Sequence, residues 1–559
     1  MIAGFRYLAL GLTIGCTPLE AIAQIIPPSA EPGREGQRFI QPPAPRAQPG
    51  GPTITLPSTV APAGAGAIKL VLRELHIDGS TVYSDQELRP LYADFLGHEI
   101  TLQQVYGLAQ RITTKYGKDG YVLSRATVPP QNLNPTAASV SIRVVEGYVD
   151  KVEWPSTLSR YRDFFSSYAA KITAARPLNI RTIERYLLLA GDLPGLKFTS
   201  SLRASDTATG ASTLVVQATE KPFDFLGRID NRGTQARGPY EYLATATLNN
   251  LLGEHEALSL SYAGAFQVNE LQYLAASYRQ VITSEGLTVF LNGSHSWGRP
   301  GTSPLEALRY QNDSTMIEAG LSYPVIRLRE SNLTLSGLFF LSDSHADLLN
   351  TPYNEDRLRG FRFRADADLA DELNGISQFN GAFSQGISGL GSTQNGSPLA
   401  SRAAGRVDFS KVEVGANRLQ SFGGGMSLLL AAYGQYAFTP LLASEECGYG
   451  GRLFGRAFDP SKMVGDHCWM ASAEFRYDIS HAGDHWIPAT QVYGFSDHGQ
   501  VYNIRPAVGT STTLEGTSVG AGLRFDWPSH FGADLTVARG VEAAGQGAWR
   551  VFFALTARY

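Results

Sequence analysis

Long hydrophobic runs, cysteine and methionine are all scarce in this chain of 559 residues, which has 3 cysteines and 5 methionines. After the N-terminus, no stretch approaches the ~18 uninterrupted apolar residues that a membrane helix needs. This scarcity excludes a helical membrane protein and leaves a β-barrel open. A net charge of -4, with 18% charged residues, gives no basic surface for a nucleic acid partner.

Residue patterns typical of catalytic or cofactor sites are also missing from the sequence. The 10 histidines show no metal-ligand spacing, and there is no phosphate-binding loop. The segment GTSVG at 516–520 matches a nucleophile elbow, but it lies in an alternating strand pattern with no helix after it. The sequence therefore predicts no enzyme activity, no catalytic residues, no metal and no cofactor.

The N-terminus has the pattern of a secretory signal peptide covering residues 1–23. Arg6 supplies the positive charge, an apolar run extends from Tyr7 to Cys16, and Ala-Ile-Ala at 21–23 forms the cleavage box. A lipoprotein signal that uses Cys16 is the alternative. Cleavage after Ala23 leaves Cys447 and Cys468 in the exported chain, where two cysteines indicate one disulfide or, alternatively, two separate thiols.

Residues 24–221 divide into three segments. Residues 24–67 are proline-rich and lack apolar periodicity, which predicts a flexible or polyproline-like periplasmic linker. Residues 68–147 and 148–221 then repeat one β-α-α-β-β order, which predicts two small α+β modules. Each module is expected to have an exposed sheet edge that could accept another strand.

Residues 222–559 lose helical patterning and contain sixteen candidate strands. Membrane barrels use an even number of strands of ~9–11 residues, with apolar side chains facing outward and polar ones inward. The C-terminal segment shows this alternation, because Val551, Phe553 and Leu555 share one face while Phe552 and Thr556 share the other. The fold class predicted is therefore two periplasmic α+β domains followed by a 16-stranded antiparallel transmembrane β-barrel.

Five segments of the chain, in order, resemble motifs of the outer-membrane transporters of two-partner secretion, the TpsB or FhaC/ShlB/HecB-like family of the BamA-like superfamily. Three lie in the modules and resemble POTRA domains, one resembles the first barrel strand and its loop, and one resembles a mid-barrel block: ITTKYGKDGYVLSRATVPPQ, VSIRVVEGYVDKVEW, ERYLLLAGDLPGLKFTSSL, IDNRGTQARGPY, and TPYNEDRLRGFRFRADADLADELNGISQFNGAFSQGISGLG. The resemblance implies that residues 68–147 and 148–221 are POTRA domains. It also implies that the N-terminal segment can hold a short plug helix, for which the prolines leave only GREGQRFIQ.

The resemblance also implies a role for the sixth surface loop, residues 439–467, which in this superfamily folds back into the barrel. Its tip motif is matched here by Gly455, Arg456 and Phe458, with Ala457 in place of the usual glycine. The wall partner is implied by a Phe-x-Asp-x-Gly strand whose members are Phe495, Asp497 and Gly499. We expect Arg456 to pair with Asp497 inside the lumen and Cys447 to bond Cys468 at the base of the loop.

The function implied by the resemblance is translocation of an unfolded exoprotein to the cell surface, with haemolysin-type activation of the cargo as a further option. The expected partners are a cognate TpsA-like exoprotein, outer-membrane lipids and the barrel-assembly machinery, which would recognise the C-terminal aromatic Tyr559. The expected location is the Gram-negative outer membrane, with the POTRA domains in the periplasm. The alternatives are a BamA-like assembly factor and a passive porin-like barrel.

Overall fold

A computed structural model describes residues 26–39, 45–48, 60–206, 208–479, 489–506, 511–527, 530–542 and 545–559. The predicted signal peptide lies outside these ranges. None of the described helices is long and apolar enough to cross a membrane. The first of these helices, α1 (Glu35–Phe39), is a single short turn within the proline-rich segment.

The first module is a four-stranded sheet covered by one long helix. Its elements are β1 (Lys69–Asp78), α2 (Asp85–Leu88), β2 (Glu99–Thr101), α3 (Leu102–Lys118), β3 (Arg125–Thr127) and β4 (Ala138–Val145), with strand order β2-β1-β4-β3. Thr101 and Gln104 form a capping box that starts α3. The helix expected over the segment SDQELRPLYADFL is only α2, because Pro90 cannot continue an α-helix and two 3₁₀ turns follow.

The second module repeats the β-α-α-β-β order without the extra strand. It consists of β5 (Tyr148–Glu153), α4 (Arg162–Ala174), α5 (Ile180–Gly191), β6 (Leu196–Ala204) and β7 (Ala211–Glu220), and its sheet has the order β5-β7-β6. Val149, Tyr168 and Leu214 are fully buried between the helices and the sheet. The strand β6 pairs only with β7 among the described residues, so one of its backbone edges is free.

The second module docks on the periplasmic end of the barrel through charged contacts. Asp192, at the end of α5, accepts hydrogen bonds of 2.7 and 2.9 Å from the guanidinium of Arg327. Glu285, in a barrel turn, accepts hydrogen bonds of 3.3 Å from Arg185 and 3.0 Å from the hydroxyl of Tyr186. These contacts fix the module beside the pore entrance.

In the described residues, sixteen antiparallel strands close into a barrel, which confirms the predicted fold class. The first eleven are β8 (Phe223–Asp230), β9 (Glu241–Asn249), β10 (Glu256–Ala265), β11 (Gln272–Val281), β12 (Thr288–Gly298), β13 (Gln311–Arg327), β14 (Ser331–Leu348), β15 (Thr351–Ala370), β16 (Gly375–Gly386), β17 (Ser410–Gly423) and β18 (Met426–Ala437). A separate hairpin, β19 (Cys447–Tyr449) with β20 (Met463–Gly465), follows. The wall then continues with β21 (His467–Ile479), β22 (Ala489–Tyr502), β23 (Thr513–Trp527), β24 (Phe531–Glu542) and β25 (Gly545–Arg558), and a short helix, α6 (Ser303–Ala307), lies in the β12–β13 connection.

The wall has the inside-outside alternation expected of a membrane barrel. Val551 and Leu555 are 58% and 49% exposed on the outer face, whereas Phe552 is 3% exposed and faces inward. The last strand closes the barrel on the first one, because Tyr559 exchanges backbone hydrogen bonds of 2.9 and 3.1 Å with Phe225. The outward band of apolar side chains suits a lipid surface.

Residues 26–39 of the expected linker lie inside the barrel, and α1 falls within GREGQRFIQ, the segment expected to hold a short plug helix. Phe39 stacks on the inward-facing Tyr273 with ring centroids 5.3 Å apart. Arg38 forms an ion pair of 3.2 Å with Glu241 on the wall. Periodicity could not indicate this location, because the segment is held by individual side chains rather than by a repeating apolar face.

A half-buried carboxylate, that of Glu146, stabilises the turn between β1 and α2 in the first module. Glu146 accepts hydrogen bonds from the amides of Thr81 at 2.8 Å and Val82 at 3.1 Å, and from the hydroxyl of Tyr116 at 2.7 Å. Burial by itself would raise the pKa of Glu146, but these bonds together with one from the Thr81 hydroxyl lower it below the ordinary 4.5. Because the folded-state pKa is depressed, the ionised group stabilises the module above about pH 4.5 and loses that effect as pH falls through the folded-state pKa.

We therefore expect Glu146→Gln to lower the thermal unfolding midpoint of the modules at pH 7, because one charged acceptor of four hydrogen bonds is lost. The difference from wild type should shrink as the pH is lowered below 4.5. Circular dichroism at a helix-sensitive wavelength on the detergent-purified chain measures this midpoint, since the long described helices all belong to the modules. A difference that stays constant from neutral to acidic pH would contradict the assignment.

Candidate functional site: an inward-folded loop in the barrel lumen

The connection between the eleventh and twelfth barrel strands, residues 438–466, folds back into the lumen; we call it loop six. Its hairpin β19–β20 lies against β22, and its tip reaches the inner wall. Gly455 has a φ of +69°, and a Cβ on it would lie 2.8 Å from the ring of Tyr449. Both facts favour glycine at this position, so the backbone bend directly precedes Arg456.

Arg456 is bound to Asp497 on β22 through both its backbone and its side chain. Its amide donates to a carboxylate oxygen at 3.0 Å, and its guanidinium donates to both carboxylate oxygens at 3.1 and 2.8 Å. The side chains are 8% and 0% exposed. The two residues that the resemblance put together are therefore in direct contact, in a bidentate geometry that is among the strongest ion-pair arrangements.

A second carboxylate, which the sequence reading missed, completes the charge balance around Arg456. Glu474 on β21 contacts the same guanidinium and also accepts from Arg476 at 2.7 Å and from Arg524 at 2.8 Å. Its side chain is 2% exposed. The signal for it was the order Ala-Glu-Phe-Arg at 473–476, where charged residues alternate with apolar ones and so face the lumen.

Aromatic rings and glycines on the wall shape the surface that receives the tip. The guanidinium carbon of Arg456 lies 3.6 Å from the ring centroid of Phe495, a cation–π distance. A Cβ on Gly499 would lie 2.2 Å from the Tyr449 ring, so a side chain there would displace this ring. Phe495 and Gly499 thus act on loop six by contact, beside the carboxylate of Asp497.

The ring of Phe458 fills a space that exists because two wall residues, Gly516 and Gly540, are glycines. A Cβ would lie 2.7 Å from the Phe458 ring if placed on Gly540, and 3.2 Å from it if placed on Gly516. Phe458 also packs on Tyr449, with ring centroids 5.8 Å apart. Neither Gly516 nor Gly540 was predicted as part of the site, since a strand glycine has no sequence signal that distinguishes a receiving surface from a bulge.

Cys447 and Cys468 form a disulfide that closes the base of loop six, with Cα atoms 6.2 Å apart. Cys447 begins the hairpin β19–β20, and Cys468 is the second residue of the wall strand β21. The bond therefore ties the hairpin covalently to the wall. The tip remains joined to this base only through residues 448–467.

The part of loop six that precedes the hairpin β19–β20 also contacts the wall. Glu445 accepts from Lys411 at 2.9 Å and from Arg362 at 3.1 Å. The next residue, Glu446, pairs with Arg402 at 3.1 Å and with Arg34 of the N-terminal segment at 3.2 Å. Loop six and the N-terminal segment therefore touch each other as well as the wall.

Comparison with known proteins agrees with this architecture. Residues 210–524 match the profile of the haemolysin secretion/activation proteins ShlB/FhaC/HecB, and residues 70–147 match the ShlB-type POTRA domain. The chain belongs to the ShlB/FhaC/HecB family. It is therefore an outer-membrane transporter rather than an enzyme, with periplasmic POTRA domains, which confirms the resemblance read from the sequence.

Relatives within the ShlB/FhaC/HecB family align over most of the chain at low identity. The outer membrane transporter CdiB of Dickeya dadantii is 22% identical over 82% of this chain and 81% of its own length. The haemolysin transporter ShlB of Serratia marcescens is 21% identical over 84% and 82%. The structure of CdiB from Escherichia coli superposes with a TM-score of 0.68 at 18% identity, covering 92% of this chain and 94% of that one, which shows a shared fold.

We predict that Gly540→Val displaces the tip of loop six, because the new side chain would overlap the Phe458 ring and overpacking costs about 1–3 kcal/mol. The expected result is a higher or more variable conductance of the purified chain in planar bilayers, with unchanged heat-modifiable migration of the folded barrel. Gly494→Val is the matched control, since a Cβ on Gly494 meets nothing closer than 3.9 Å. Equal conductance of the two variants would contradict this role of Gly540.

Proposed function

We propose that this chain exports an unfolded exoprotein through its barrel, and that loop six holds the pore in the state from which export begins. The contact of Arg456 with Asp497 and Glu474 is the observation that carries the proposal. A bidentate ion pair with both side chains buried holds one defined position of the loop. A passive channel has no requirement for such a held loop in its lumen.

The free edge of β6 is the recognition surface that we propose for the exoprotein. It has nine residues, whereas the edge strands β2 and β3 of the first module have three each. Most of its side chains are exposed on both faces, and it lies in the module that docks at the pore entrance. An unfolded chain can add to such an edge as a further strand, because the edge satisfies its backbone hydrogen bonds.

Transit then requires that loop six and the N-terminal segment move, since both occupy the lumen. The disulfide Cys447–Cys468 keeps the base of the loop at the wall and so limits how far the tip can withdraw. No phosphate-binding loop is present in the sequence, so folding of the exoprotein outside the cell is the energy source that we propose. Haemolysin-type activation of the cargo extends the same proposal.

Two further partners belong to this proposal. Outer-membrane lipids contact the exposed apolar band of the wall, and the barrel-assembly machinery recognises the C-terminal strand. Tyr559, 68% exposed at the end of that strand, is the residue that we propose as its signal.

Arg456→Ala and Asp497→Ala should each reduce export of the cognate exoprotein, measured as its amount in the culture medium. Each change leaves a buried charge without its partner, at a cost of about 3–5 kcal/mol. The control is Arg406→Ala, which removes an exposed ion pair of 2.7 Å with Asp408 on another surface connection. Normal export by both lumen variants, with folded barrels, would reject the role of the pair.

Placing positive charge on the β6 edge should block recognition while leaving the pore intact. We expect the double variant Ser200→Lys with Leu202→Lys to lose export and keep wild-type conductance, because edge lysines oppose strand addition. Gln217→Lys with Thr219→Lys is the control, since it adds the same two charges at exposed positions of the central strand β7 of the same sheet. Undiminished export by the edge variant would contradict recognition at β6 and favour a passive pore.

A further inference from the structure

Three buried side chains at the cell-surface end of the lumen converge on one backbone carbonyl of the N-terminal segment. The carbonyl of Ala30 accepts hydrogen bonds from Arg237 at 2.8 Å, from Asn312 at 2.7 Å and from the hydroxyl of Tyr310 at 3.3 Å. The three donors, which we call the carbonyl cradle, are 0%, 5% and 2% exposed respectively. Arg237 lies in the β8–β9 connection, Asn312 lies near the start of β13, and Tyr310 directly precedes that strand.

A small apolar pocket accompanies the carbonyl cradle. The methyl group of Ala30 is fully buried there, next to the side chain of Ile26. The pocket is lined by Ala236, Leu305, Tyr310 and Ala346. Together, cradle and pocket accept a backbone carbonyl and a short apolar side chain, which are features of almost any unfolded polypeptide and not of one particular sequence.

The N-terminal segment binds the cradle a second time, because Glu35 accepts a hydrogen bond of 2.7 Å from Arg237, yet it uses only part of the hydrogen-bonding capacity there. Among the described residues, the Nε and Nη1 atoms of Arg237 and the Oδ1 atom of Asn312 have no hydrogen-bond partner although they are buried. Such unsatisfied groups are rare in protein interiors. The cradle therefore has donors and an acceptor that its present occupant does not match.

The composition of the N-terminal segment explains why the Oδ1 acceptor of Asn312 has no donor. Pro27, Pro28 and Pro32 have no amide N–H to donate to Asn312. The amide of Ala30 is already used within the turn, where it donates to the carbonyl of Pro27 at 2.8 Å, and that of Glu31 donates to Pro28 at 3.3 Å. An ordinary unfolded chain offers free N–H groups as well as carbonyls.

We propose that the carbonyl cradle is a binding subsite for the backbone of the translocating polypeptide, and that the proline-rich N-terminal segment occupies it until that polypeptide displaces it. The subsite lies where the lumen meets the surface connections, so an exported chain contacts it last. This inference rests on the proposed export function. Its consequence is that incoming cargo competes directly with residues 26–31 for the same three donors.

The position of the segment supports such a competition. Residues 26–31 lie at the surface end of the lumen, whereas the amide of Gln48 donates to the carbonyl of Arg329 at 2.9 Å in a periplasmic turn. The amide of Ala47 contacts Asp368, near another periplasmic turn. The described parts of the segment, residues 26–39 and 45–48, therefore contact the barrel near both of its ends.

The test uses the full chain carrying Ala30→Glu, which places a charge in a fully buried apolar pocket and so removes the segment from the cradle. Two synthetic peptides are added to this protein in planar bilayers, and the block of the ionic current is titrated. One peptide copies residues 26–35, and the other is an unstructured alanine-serine peptide of the same length without proline. We expect both to block the current, because each offers backbone carbonyls to the three donors.

Adding Asn312→Ala to the same protein should weaken the block by both peptides about fivefold, the effect of losing a hydrogen bond worth about 1 kcal/mol. Asn292→Ala is the matched control, because Asn292 is an inward-facing amide on the neighbouring strand that bonds Glu318 at 3.3 Å. An unchanged block with Asn312→Ala overturns the inference. Block by the copied peptide alone also overturns it, since the cradle would then be specific for the N-terminal segment.

Two measures keep this result interpretable. Heat-modifiable migration reports whether each barrel is folded, and deletion of residues 26–39 replaces Ala30→Glu if that variant does not fold. The current block requires no exoprotein, so it gives its answer even if the Arg456 and Asp497 variants export normally. Failure of the export proposal and failure of the cradle inference are therefore distinguishable.

Discussion

The guanidinium of Arg456 inside the barrel is the feature on which the arrangement of the lumen depends. A charge held away from bulk water is tolerated only where opposite charges and hydrogen bonds surround it, and Asp497 and Glu474 supply them from two adjacent strands. Glu474 is held in place by two further ion pairs, with Arg476 and with Arg524. The charged side chains of the wall thus form one ion-pair network, and Arg456 completes this network only when loop six lies inside the barrel.

The shape of the wall follows from the same requirement. For Arg456 to reach Asp497, the backbone must bend at Gly455, and the rings of Tyr449 and Phe458 must come close to the strands. Glycines at 499, 516 and 540 give those rings their space. A wall built from ordinary residues would exclude the loop sterically even with both carboxylates in place.

Polar contacts join the N-terminal segment and loop six inside the lumen. Arg34 joins them directly through Glu446 and through the carbonyl of Ala443. Withdrawal of loop six removes the carboxylate paired with Arg34, and withdrawal of the N-terminal segment removes one of the two arginines paired with Glu446, so the two parts are coupled energetically. In the export that we propose, the incoming polypeptide replaces the contacts that loop six and the N-terminal segment lose.

The modules and the barrel could be predicted from the sequence, because strand alternation is a local pattern. The pairing of Arg456 with Asp497 could be predicted because the tip and wall motifs resemble those of a known family. The sequence did not reveal Glu474, the glycines that receive Phe458, or the path of residues 26–39 through the lumen. Those features depend on which strands are adjacent and which residues share a height on the wall. Neighbours across a closed barrel are hundreds of residues apart in the chain, so only the tertiary structure decided them.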